Sequence, residues 1–262
     1  MNIFVCVKQV PDTETKIQPL SDQSFVETNN VKWIMNPYDE FAVEQALLMK
    51  QANPGSTVTV IRVGSKQSSE ALRTALAMGA DNAVLVETPD NLDSFLTAKT
   101  LKLAIEKQEQ KPDLILTGKQ AIDSDALQVP QILGQMLELP SVSVVVGVEQ
   151  SGDSLTLKRE IEGGSLEVYQ ASTPCIVACN KGLNTPRYAS LPGIMKAKKK
   201  PLQELSLEDL GLNLDEQRVK YSNFRLPPEK PPGKVFDASD EANQQQVISE
   251  VIGLLRSEAK VL

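Results

Sequence analysis

Histidine is absent from all 262 residues. That removes the side chain best suited to proton transfer near neutral pH, the usual partner of a nucleophilic serine or cysteine, and the commonest metal ligand. Hydrolase triads and zinc sites are therefore poor candidates. Cysteine is scarce as well. Cys6, Cys175 and Cys179 have no CxxC spacing and lie in apolar runs, which reads as small core residues in a reducing compartment. No apolar run approaches the ~20 residues of a membrane span, and the first strand-like run, Ile3 to Val7, is too short for a signal sequence. A cytoplasmic protein without a targeting peptide or membrane insertion is expected. Neither GxGxxG nor GxxxxGK[ST] occurs, so the dinucleotide fingerprint and the P-loop do not apply.

What is present is an ordinary globular composition, 41% hydrophobic and 23% charged, enough for one main domain with or without an appendage. The net charge of −7 argues against nucleic acid as a partner, since neutralising phosphates supplies that affinity. The charge is unevenly spread. Between Val168 and Gln203 there is no Asp or Glu, while Lys181, Arg187, Lys196, Lys198, Lys199 and Lys200 are positive.

In the first half, short β-rich apolar runs alternate with longer stretches of helical spacing, the pattern of βαβ units and a parallel sheet. Strands are expected at Ile3–Val7, Thr57–Val63, Ala83–Val86 and Leu114–Thr117, and helices at Pro37–Gln51, Gln67–Met78 and Ser94–Glu106. Pro37 suits a first helical turn and Gly79 a C-terminal cap. The sum is an α/β fold with a doubly wound, mostly parallel sheet. Such sheets bind ligands outside the carboxyl ends of their strands. The loops of interest are Lys8–Glu14, either a ligand loop or a plain crossover, Val63–Ser65, and Gly118–Gln131 (GKQAIDSDALQVPQ), which leads into a helix started by Pro130. A helix amino terminus with free N–H groups is a natural phosphate site. Asp123 and Asp125 would repel a phosphate if they faced it, so they are expected to cap backbone amides or to accept from ribose hydroxyls. The alternative is that both merely order the loop.

After Pro140 the sequence turns strand-rich. Ser141–Val148, Leu155–Glu160, Ser165–Gln170 and Cys175–Ala178 read as an antiparallel extension, with turns at Gly152-Asp153 and Gly163-Gly164. Beyond Pro201, Ser206–Leu210 reads as a short capped helix, Leu226–Gly233 as a proline-rich linker, and Asn243–Leu262 as a terminal helix. Residues 1–200 are expected to form the nucleotide-binding domain and 201–262 an extended arm. The arm's stripe of Val247, Val251, Leu254 and Leu255 needs another surface to rest on.

Six segments in order carry a resemblance: VKQVPD near the start, MNPYDEFAVEQAL at Met35–Leu47, RTALAMGAD at Arg73–Asp81, GKQAIDSD at Gly118–Asp125, REIEGG at Arg159–Gly164 and PRYASLPGIMKAKKK at Pro186–Lys200. To about Gly211 the chain resembles the β subunits of electron-transfer flavoproteins. The resemblance implies an adenine nucleotide α-hydrolase-like fold and a heterodimer whose α subunit holds the redox-active FAD. It implies a structural AMP in this chain, bound by Cys6, Asn36, Pro37, Tyr38, Asp39 and Val63, and by Ala121, Ile122, Asp123, Ser124, Asp125, Ala126, Leu127, Gln128, Val129, Pro130, Gln131 and Ile132. It also implies that residues 183–200 form a recognition loop for acyl-CoA and related dehydrogenases. Leu191 is the anchor there, with Pro192, Ile194, Met195, Lys196 and Lys199 beside it. Electrons would pass on to a quinone-linked oxidoreductase, with no catalytic residue supplied by this chain.

The exposed apolar residues of that loop and its lysines suit a partner surface on physical grounds alone. A loop ordered by its own subunit, with a solvated lysine run, is the other reading. Two positions depart from the family pattern. Pro130 stands where relatives carry glycine and lacks an N–H, and Thr13 stands where many place a tyrosine against the partner's flavin. Alternatives are a bifurcating type with a second FAD in place of AMP, an adenine-nucleotide-binding stress-type or nucleotidyl-transferring protein, and a purely structural scaffold.

Overall fold

The chain opens with strand β1 (Asn2–Cys6), whose alternate residues Ile3 and Val5 pack to one face and Phe4 and Cys6 to the other. That division is the period-2 geometry of a strand buried on both sides. In the computed structural model, residues 1–29, 31–66, 69–230 and 232–262 are described. A short antiparallel ribbon of β2 (Gln9–Pro11) and β3 (Trp33–Met35) follows. Then come α1 (Pro37–Ala52), β4 (Thr57–Gly64), α2 (Glu70–Met78), β5 (Asn82–Glu87), α3 (Ser94–Glu106), β6 (Leu114–Gly118) and α4 (Val129–Leu137). The strands and helices expected in this half form within one to three residues of the expected bounds. The positions Gln67 and Ser68, where α2 was expected to start, lie outside the described residues, as does Pro231 of the linker.

The rest comprises β7 (Ser141–Ser151), β8 (Ser154–Glu160), β9 (Leu166–Ser172), β10 (Cys175–Cys179), α5 (Leu191–Ala197), β11 (Leu202–Ser206) and α6 (Glu241–Ser257). Among the described residues, nine strands make one sheet in the order β11-β5-β4-β1-β6-β10-β7-β8-β9. From β11 to β7 every pair is parallel, and β8 and β9 are antiparallel. Helices α1 and α2 pack on the face of Ile3, Val5 and Val60, while α3 and α4 pack on that of Phe4, Cys6 and Ile115. The sheet is thus doubly wound and mostly parallel, with antiparallel strands at one end.

Several expectations need correction. Cys175–Ala178 is not part of the antiparallel extension, and Ser141–Val148 belongs to it on one side only, since β7 runs antiparallel to β8 but parallel to β10. β10 inserts between β6 and β7 and runs parallel to both. Its five residues are all buried, and an apolar run without alternation is the mark of an interior parallel strand. Leu202–Ser206, not expected as a strand, pairs with β5 and forms the far edge of the sheet. The chain divides into two compact units, Met1–Asn223 and Phe224–Leu262. Ser206–Leu210 is reduced to one 3-10 turn, Glu208–Leu210, with the Ser206 hydroxyl accepting from the Asp209 N–H at 3.1 Å. The terminal helix α6 ends at Ser257, five residues before the expected bound, and begins behind an Asp240 cap.

Candidate functional site

From β1 the chain moves to β4 and β5 on one side and then crosses to β6 on the other, so the winding reverses between β1 and β6. The crevice at the carboxyl ends of those two strands is the natural ligand position of such a fold. Asp39, in the first turn of α1, spans it. One carboxylate oxygen accepts the Lys8 amide at 2.7 Å and the other the Gly118 amide at 3.0 Å, so a single side chain ties the end of β1 to the end of β6. Burial pushes the Asp39 carboxyl up to about 7, against the pull of those two amide hydrogen bonds. Gly118 is obligatory here. A Cβ would stand 2.3 Å from the Asp39 Oδ1 and 2.7 Å from the Tyr38 Cβ.

The loop after β6 is held by Asn36, the buried residue just before α1. Its amide nitrogen donates to the Gln120 carbonyl at 2.8 Å, and its side-chain oxygen accepts the Ile122 N–H at 3.1 Å. Asp123 pairs with Lys8 at 2.6 Å, and Asp125 accepts from the Gln120 side-chain amide. The two carboxylates bond to side chains here, where caps on backbone amides or acceptance from ribose hydroxyls were expected. The loop carries strain, since Asp125 and Leu127 have φ of 48° and 50°. Asp tolerates the left-handed region and Leu does so only when its surroundings impose it. α4 follows with Pro130 in its first turn and no side-chain cap. Its first turn offers backbone N–H groups at Val129 and Gln131 with none at Pro130.

On the β4 side, Arg62 is buried inside the strand and reaches Asp90 at 3.3 Å. Burial lowers its pKa to about 10 against the opposing charges of Asp90, Asp39 and Asp123. Asp90 also accepts the Ser65 N–H at 2.9 Å, which fixes the turn after β4. Gly64 fits only as glycine, with φ of 154° and a would-be Cβ 2.7 Å from the Arg62 Nη2. Cys6 closes β1 as a buried thiol pushed up to about 12 by burial and by the Asp39 charge. Val63 ends the apolar part of β4.

The residues expected at a nucleotide site thus lie on the ends of β1 and β4, the start of α1, and the loop from β6 into α4. Asn36 and Asp39 tie the end of β1, the start of α1 and the loop after β6 together, while Asp90 holds the turn after β4. Lys8, Arg62 and Gln120 belong to the same constellation and were not singled out from the sequence. The visible signal for Arg62 was a lone cation inside the apolar run TVTVIRVG. Two cavities lie elsewhere, beside the β2 and β3 ribbon. One of about 550 Å³ is lined by residues such as Asp12, Lys16 and Glu27, and one of about 190 Å³ by Gln9, Trp33, Glu40 and Glu70. The switch-point site is an open crevice, and neither cavity includes its residues.

The basic segment is a short helix, α5, where a loop was expected. The Ser190 hydroxyl caps it by accepting the Gly193 N–H at 3.1 Å. Leu191 is 80% exposed, Met195 72% and Tyr188 98%. Pro192, Lys196, Lys198 and Lys199 are also exposed, as is Ile194 to a lesser degree. Of the six positive side chains of this region, two serve the fold. Arg187 is paired with buried Glu44, and Lys200 donates to main-chain carbonyls at the end of α2. Among the described residues no helix is long and apolar enough to cross a membrane, and no group of three or more Cys, Asp or Glu side chains is placed to hold a metal ion.

Residues 24–210 match the family model of the electron transfer flavoprotein domain. The chain is 40% identical over the full length of both chains to a Bacillus subtilis protein named electron transfer flavoprotein subunit beta. It is 39% identical, again over both full lengths, to the Bradyrhizobium diazoefficiens protein of that name. To the Homo sapiens protein so named it is 38% identical, with 92% of this chain and 94% of that one covered.

Proposed function

The chain belongs to the family of electron transfer flavoprotein beta subunits, and on that premise we propose that it works as one half of a heterodimeric electron carrier. Its α partner holds the redox-active FAD, and this chain contributes a nucleotide site and a docking arm but no catalytic group. The observation that carries the reading is the crevice between β1 and β6. There Asn36 and Asp39, at the start of α1, lock the loops after β1 and β6 together beside an α4 amino terminus that no described side chain caps. That donor set suits an adenine nucleotide. Backbone N–H groups of α4 face a phosphate, and the carbonyls and carboxylates of the loop take up ribose and base. The nucleotide is a structural AMP, and Pro130 withdraws one amide from its phosphate.

The docking arm is α5. Leu191 and Met195 stand clear of the surface, with Lys196, Lys198 and Lys199 beside them. Such an arrangement steers and seats an acidic dehydrogenase of the acyl-CoA type without tight binding, which suits a carrier that must leave again for a quinone-linked oxidoreductase. Residues 224–262, with the apolar residues of α6, cover part of the α subunit. The site of action is the cytoplasm.

The decisive measurement is the small-molecule content of the copurified heterodimer after denaturation. One FAD and one AMP per heterodimer is expected. Two FAD would replace this reading with the bifurcating type, and no nucleotide at all would remove the site from the crevice.

A further inference from the structure

The segment that carries the exposed residues of α5 is tied to the body of the molecule at both ends. At its start, buried Glu44 of α1 takes three donors from one residue: the Arg187 main-chain N–H at 3.1 Å, Nε at 2.8 Å and Nη2 at 2.8 Å. The neighbouring Asn184 amide donates to the Phe41 carbonyl of α1 at 3.0 Å. At its far end the Lys200 ammonium donates to two carbonyls at the C-terminus of α2, those of Leu76 (3.0 Å) and Ala80. A cation there also meets the negative end of the helix dipole. In between, the Arg73 guanidinium donates to the Ala197 carbonyl at 3.0 Å, and α5 lies so close to α2 that a Cβ on Gly193 would be 2.4 Å from the Ala77 carbonyl.

A bidentate guanidinium on a buried carboxylate is directional, and a lysine could not reproduce it. These contacts involve none of the residues that stand outward. Taking the docking reading of α5 as given, we propose that Glu44 and Lys200 are positioning residues that hold the arm in its docking conformation before any partner arrives. The ordering that a free loop would undergo at each encounter is completed during folding, so weak and rapid docking remains specific.

Hydrogen exchange over residues 187–200, measured on the full chain in its copurified complex, reads this directly, because the Gly193 and Ile194 amides are both bonded to Ser190. Glu44→Gln is expected to speed exchange of that segment about tenfold or more by local opening. It should raise the apparent KM for a reducing dehydrogenase about tenfold, with kcat and flavin content retained. Since Glu44 is buried, Lys200→Met provides an independent variant at the other end, with the same signature expected. Unchanged exchange in both variants overturns the positioning role. Faster exchange with an unchanged KM overturns its link to docking. Leu191→Ala serves as the separate control: it should leave exchange slow and still raise KM. An unchanged KM there rejects the docking reading itself, while exchange in the other two variants still judges the anchoring.

Discussion

Replacing Asp39 with asparagine should change how stability depends on pH as well as its level. The carboxyl is raised to about 7 in the folded chain, chiefly by burial, from an ordinary value of 3.8. Between those values the unfolded chain has released this proton and the folded chain retains it, so ionisation of Asp39 weakens the fold as pH rises. The slope is about 1.4 kcal/mol per pH unit, or roughly 2 kcal/mol between pH 5 and pH 7 once the curvature near 7 is included. Asparagine abolishes that slope. It also has one oxygen where Asp39 uses two, for the amides of Lys8 and Gly118, so one buried N–H faces an NH₂ group. The unpaired donor costs about 1–3 kcal/mol at every pH. The variant should thus be clearly less stable than the parent at pH 5, with the gap closing by about 2 kcal/mol at pH 7. Urea midpoints followed by the fluorescence of the single tryptophan, Trp33, across pH 5 to 8 provide the assay. Parallel curves for parent and variant, or a gap that widens with pH, would refute the assignment of a buried, proton-retaining carboxyl.

Three further outcomes are expected. Gly118→Ala puts a methyl group 2.3 Å from the Asp39 carboxylate, and overpacking of that kind costs about 1–3 kcal/mol. Its urea midpoint should fall and less AMP should survive purification; an unaltered midpoint contradicts the close approach of β6 to α1. Pro130→Ala restores an amide to the first turn of α4 and should tighten AMP binding about tenfold in equilibrium dialysis. Equal or weaker binding rules out a phosphate at that turn. Leu191→Ala removes an 80% exposed side chain, so thermal stability should be unaffected while reduction by a dehydrogenase slows. Unaltered kinetics detach docking from Leu191.

The element pattern of the first half was open to reading because each parallel strand there is a short apolar run closed by a turn or a helix start. Pro37 and Gly79 punctuate α1 and α2 as local backbone chemistry requires. The basic, acid-free character of residues 168–203 was equally visible. Its division of labour was not. Arg187 and Lys200 look like their neighbours in the chain, and only α1 and α2, more than a hundred residues away, turn them into anchors. Glu44 carries no signal of its own in the sequence, yet in the fold it is buried and paired with Arg187. Lys8 was visible only as the start of a loop of interest and Arg62 not as a site residue at all, since their partners Asp123 and Asp90 lie on other loops.

Local periodicity records which face of a segment avoids water, and by itself it determined here the βαβ alternation, the doubly wound class and the loops that end at the crevice. It carries no record of which strand becomes a neighbour. Cys175–Cys179 displays its burial in its composition, but its place between β6 and β7, parallel to both, depends on hydrogen bonds to segments remote in the chain. The same holds for Leu202–Ser206, whose mixed sequence becomes a strand because β5 offers an open edge. Tertiary structure alone decided those pairings, the bridge that Asp39 makes between β1 and β6, and which positive charges of the arm remain outward, because each is a contact between residues that only the fold brings together.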